Sequence, residues 1–261
     1  MSSNQSSIGT NLVNLGELIE RVSTFGAKYN PVRSEFTIPR LIELQGSIDI
    51  LISQVQTAEN IDNNSIATRA LAFKSNDGLV THAINSFSIS GASEQSIRQA
   101  ESKVRAYRNI RVSDKPSEED IATAKAEGKN LRINTMHSAT FDKKTENMGD
   151  FIDFLANSPE YGPNESDISI EGLSAKLAEL KSKNKNCSKT SAELDAVRRN
   201  RDIAMFAKGT GMVDLAMGVK KYVKSVFGAT SIQYKEISDL KFKNIKTIVN
   251  QIAQESEPML T

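Results

Sequence analysis

The chain reads as an all-α protein of two homologous antiparallel four-helix bundles in tandem, on three observations. Apolar residues recur at three- and four-residue spacing through most of the 261 positions, the period of an amphipathic helix. Gly and Pro are scarce, 14 and 6, too few for the turns of a many-stranded β protein. One design also occurs twice: Tyr29-Asn-Pro-Val-Arg-Ser-Glu-Phe-Thr-Ile-Pro-Arg-Leu41 and Tyr161-Gly-Pro-Asn-Glu-Ser-Asp-Ile-Ser-Ile-Glu-Gly-Leu173. Each runs Tyr-x-Pro, four residues, an apolar residue, a hydroxyl, Ile, two residues, Leu.

Residues 1–10 are rich in Ser and Asn without an apolar period and read as a disordered tail. Repeat 1 is placed at 11–108. Its first helix carries Leu12, Leu15, Leu18, Ile19 and Val22 and stops near Gly26. The Tyr29–Phe36 loop is fixed by Pro31. Thr37 is the expected N-cap of a second helix with Ile38, Leu41, Leu44, Ile48, Leu51 and Val55 on one stripe. Asp62-Asn-Asn-Ser65 reads as a turn. A third helix follows, with Ile66, Ala70, Phe73, Val80, Ile84 and Phe87 on one face, broken at Ser90-Gly-Ala-Ser93. A fourth runs from about Ser93 to Tyr107.

The connector is 109–137. Ser117-Glu-Glu-Asp120 and Gly128 bracket an expected short helix. Repeat 2 is placed at 138–256. Phe141, Met148, Ile152 and Leu155 mark its first helix, and Ser169 takes the capping place of Thr37. Ile170, Leu173, Leu177 and Leu180 stand 132 positions after Ile38, Leu41, Gln45 and Ile48. Lys181 to Lys189 reads as a polar turn and Thr190-Ser-Ala-Glu193 as a capping box. Gly209-Thr-Gly211 interrupts the next helical stretch; Met212, Leu215, Val219, Tyr222 and Val226 resume it. Thr230 and Gln233 are expected to cap a long last helix through Ile237, Leu240, Ile245, Ile248 and Ile252.

Phe151-Ile-Asp-Phe-Leu155, Tyr161-x-Pro-Asn-Glu165 and Lys220-Lys-Tyr-Val-Lys-Ser-Val-Phe-Gly-Ala229 together resemble a family of bacterial helical proteins with no established activity. The resemblance spans about Leu12 to Lys243 and implies a duplicated helical bundle. It carries over no activity, cofactor or site residue. The first half departs from it, with Val32-Arg33 where the second has Asn164-Glu165, and with no counterpart to the Lys220 run.

Composition narrows function by exclusion. The formal charge of +1 gives no global drive towards nucleic acid or anionic membrane. Ser174 to Asn250 nevertheless holds 16 Lys plus Arg against 7 Asp plus Glu. Within it, Arg198, Arg199 and Arg201, with Lys220, Lys221 and Lys224, form the candidate interaction surface, a solvated face that could meet phosphates. Tyr29, Pro31, Tyr161 and Pro163 are assigned an architectural role as bundle joints.

Lys208-Gly-Thr-Gly211 lacks the spacing of a phosphate-binding loop and no strand precedes it. His82 and His137 have no carboxylate partner at helical spacing, and no Glu-x-x-His pair of a di-iron bundle occurs. Glu118-Glu119-Asp120 suits a helix start. Cys187, the sole cysteine, permits no intramolecular disulfide and reads as a surface thiol. No metal, cofactor or catalytic residue is assigned. The N-terminus lacks signal-peptide features, and no apolar run is long enough to cross a membrane, so the expected location is cytoplasmic. The expected function is a non-enzymatic interaction or structural role with a protein partner or self-association. Nucleic-acid or polyanion binding through the basic second half, and a membrane-active helical component, are the alternatives.

Overall fold

A computed structural model describes residues 3–110, 123, 125, 140–245 and 248. Its secondary structure is helical, with no strand among the described residues. In chain order the α-helices are α1 (Ser3–Ser23), α2 (Ile38–Ser88), α3 (Glu94–Arg108), α4 (Phe141–Ala156), α5 (Ile170–Phe206), α6 (Met212–Phe227) and α7 (Ile232–Ser238). Two 3-10 turns, Gly26–Lys28 and Ser34–Phe36, lie between α1 and α2.

The helix boundaries follow from hydroxyl caps and αL breaks. Ser93, Thr140, Ser169 and Ser231 each accept from the backbone N–H three residues on, at 3.1, 3.2, 3.1 and 3.1 Å. The last helix is therefore capped by Ser231, one residue after the expected Thr230. Asn109 closes α3 in the left-handed region at φ 57°, which its short polar side chain tolerates. Gly209 at φ 79° separates α5 from α6, where the break was expected.

The chain forms two compact units. One comprises residues 1–61 and 191–261, the other 62–190. Each therefore takes helices from both halves of the sequence, rather than one half each. In the first, α1, α2 up to Ile61, the last part of α5, α6 and α7 enclose Leu15, Leu18, Val22, Leu41, Ile48, Met205, Val219 and Val223. In the second, the rest of α2, α3, α4 and the first part of α5 enclose Phe73, Val80, Phe87, Tyr107, Met148, Phe151, Leu173 and Leu180. Burying each such side chain contributes about 1.5–3 kcal/mol.

Four expected features differ. Residues 3–10 are the opening turns of α1 and Ile8 is buried, so the tail begins the first helix. Asp62 to Ser65 and Lys181 to Lys189 are not turns, and Thr190 opens no helix; α2 and α5 run straight through them. The reason is mutual satisfaction. Buried Thr190 hydrogen-bonds Asp62 Oδ1 at 2.8 Å and Ser65 Oγ at 2.9 Å, and Ser65 Oγ lies 3.2 Å from Cys187 Sγ. These pairings across two helices occupy side chains that would otherwise turn or cap the chain, and the remaining backbone contact of Thr190 Oγ1, 3.1 Å from the Cys187 carbonyl, lies within its own helix. Cys187 is consequently buried, not a surface thiol.

The expected long last helix also stops at Ser238. Beyond it, other groups take the backbone. Lys220 Nζ donates to the carbonyls of Ser238 and Leu240 at 2.9 and 2.7 Å. Asn11 donates to the Lys243 carbonyl and accepts from its N–H, both at 2.9 Å, and Asn14 donates to the Lys241 carbonyl at 2.8 Å. The expected connector helix lies outside the described residues, except for Thr123 and Lys125.

Candidate docking surface

The two Tyr-x-Pro stretches have the same internal bonding. Tyr29 Oη donates to the Phe36 carbonyl at 2.6 Å, and Tyr161 Oη to the Ile168 carbonyl at 2.6 Å, each seven residues on. Thr37 donates to the Ser34 carbonyl at 2.7 Å, and Ser169 to the Ser166 carbonyl at 2.9 Å. Both rings are buried, and each meets an aromatic edge: Tyr29 meets Tyr222 at 5.5 Å and Tyr161 meets Phe87 at 6.1 Å. Pro31 and Pro163, both half-buried, sit in the loops these phenols bridge. Burial pushes the Tyr161 phenol up to about 12 and Tyr29 higher still, so neither is poised for proton transfer at neutral pH. Both phenols thus hydrogen-bond within their own stretch.

The six basic residues are largely occupied within the chain. Arg198 pairs with Glu59 at 2.8 Å. Arg201 is buried against Asp202 at 2.7 Å; burial pushes the Asp202 carboxyl up while Arg201 pulls it down. Lys220 clamps the two carbonyls described above, and burial lowers its pKa. Lys224 lies 5.6 Å from the centre of the Tyr234 ring. Arg199 and Lys221 are exposed. Neighbouring members of the Lys220 motif are structural as well. Tyr222 Oη accepts from the Asn30 N–H at 3.1 Å, Val223 is buried, and Phe227 packs 5.5 Å from Phe25.

Sequence reasoning missed an apolar groove on the first unit. It is about 670 Å³ and is lined by Asp49, Ile50, Ser53, Gln54, Thr57, Ala58 and Ile61 of α2 with Glu193 and Val197 of α5. That volume lies within the range of ordinary ligand pockets, though this one is an open trough. Ile50 and Ile61 are 60% and 52% exposed, on the face of α2 turned away from Ile48 and Val55. The available signal was these two isoleucines, which fall off the core stripe. Smaller depressions occur elsewhere, one of them around His82, Glu165 and Asp167.

Among the described residues there is no group of three His, Cys, Asp or Glu suited to a metal, and no helix is long and apolar enough to cross a membrane. No family model, curated protein or solved structure matches the chain.

Proposed function

We propose, from the chain's own geometry alone, that the protein is a non-enzymatic interaction protein and that the α2–α5 groove of the first unit is its contact surface. One observation carries this reading: Ile50 and Ile61 stand exposed in a trough whose floor is apolar and whose sides are two helices. Leaving that surface in water forfeits about 25 cal/mol per Å² of apolar area, which a docked partner recovers. Polyanion contact through the basic residues is the weaker reading. Arg198, Arg201 and Lys220 each already hold a partner within the chain.

A photo-crosslinking side chain at Thr57, in the cell that makes the protein, tests this. The expected result is a discrete adduct that disappears in Ile50→Asp, with none from the exposed Gln99 of the second unit. No adduct at Thr57, or equal adducts at both positions, would remove the reading.

A further inference from the structure

Resting on that docking reading, we infer that the groove takes an amphipathic helix of another protein whose apolar stripe is flanked by Lys or Arg. Three features of the groove lead there.

The first is its backbone chemistry. Every lining residue lies within α2 or α5, several residues from either end. Their N–H and C=O groups belong to the helical ladder, so an extended peptide would find no edge to pair with. Recognition has to run through side chains. The second is length and period. From Asp49 to Ile61, α2 advances about 18 Å, some three turns of a docked helix. Ile50, Ala58 and Ile61 share one face of α2, and Val197 faces them from α5. Such a row accepts anchors spaced i, i+4, i+7.

The third is charge. The charged residues of the lining are Asp49 and Glu193, both carboxylates. Arg198, next to Val197 in sequence, is held by Glu59 at 2.8 Å and Asp195 at 3.9 Å. Cations on the partner's flanks complement this rim. A second copy of the same groove would set carboxylates against carboxylates, which disfavours a symmetric dimer through this face.

The test uses the full chain and two fluorescent helical peptides that share one Leu stripe, with Lys flanks in one and Glu flanks in the other. Anisotropy titration should give about tenfold tighter binding of the Lys peptide at low salt, roughly what two surface ion pairs supply. The gap should close as salt shortens the screening length. Asp49→Lys combined with Glu193→Lys should reverse the preference, and Ile50→Asp should abolish binding of both peptides with helicity unchanged. Equal binding of the two peptides, or a preference that survives the double charge reversal, would overturn the inference. So would binding by neither. If neither peptide binds while the Thr57 adduct still depends on Ile50, the docking reading stands and the cationic helix alone falls.

Discussion

Tyr29 and Tyr161 show what a single side chain contributes. Each phenol spans a seven-residue loop and ties its far end to the ring's own backbone. Replacing Tyr161 by Ala removes a buried ring and should cost about 3 kcal/mol of unfolding free energy in denaturant titrations. Tyr161→Phe keeps the ring and loses the bond to the Ile168 carbonyl, for about 1 kcal/mol. The phenols also set a response to alkali. Burial raises Tyr107 and Tyr161 to about 12, with the hydrogen bond from Asn76 opposing part of the effect at Tyr107. A native pKa above the unfolded value of about 10 means the folded state holds its proton longer. That stabilisation is fully present below pH 10 and is lost as pH rises towards 12. Tyrosinate absorbance should therefore rise together with the loss of far-UV ellipticity in that window. Gradual ionisation ahead of unfolding would show the rings to be accessible.

At the scale of elements, packing between joint and helix is decided by small residues. A methyl group on Gly218 of α6 would overlap the Phe36 ring. Gly218 stands four residues before Tyr222, as Ala83 stands four before Phe87. In sequence spacing alone, Ile168 stands 132 positions after Phe36, a smaller side chain, and Ala83 stands where Gly218 does, a larger one. Gly218→Ala should destabilise by about 1–3 kcal/mol, and Phe36→Ile added to it should recover most of the loss in a double-mutant cycle. Elements whose ends were written in local chemistry were legible in the sequence. Ser169 caps as expected, the fourth helix begins at Ser93 as expected, and the apolar period located the buried faces of α1 and α4. What misled was chemistry that is local in sequence and distant in use. Asp62, Ser65 and Thr190 carry strong turn and cap signals, yet satisfy one another across α2 and α5. The end of α7 was hidden for the same reason, because it depends on Lys220, Asn11 and Asn14. The groove was legible only as two isoleucines off the core stripe, and the exposed lysine face as charge without the pairings that occupy much of it.

For the whole molecule, the division that matters is not the one between the halves of the sequence. Both units need helices from both sides of the connector. Cleaving the full-length chain at a protease site placed within 109–137 should therefore leave the two fragments together in gel filtration, parting only in denaturant. Fragments that separate in native buffer would show that each half folds alone. The same arrangement gives the chain an order of assembly during synthesis. Residues 62–190 form one uninterrupted stretch, whereas the first unit waits for α6 and α7, made after that stretch. At about 5–20 residues per second, roughly 10–40 s separate the emergence of α1 from that of α6. Through that interval Leu15, Leu18, Leu41 and Ile48 lack the helices that finally cover them. α1 is translated well before α6 and α7, the helices that finally cover it, which makes the nascent chain a natural client for a holding chaperone.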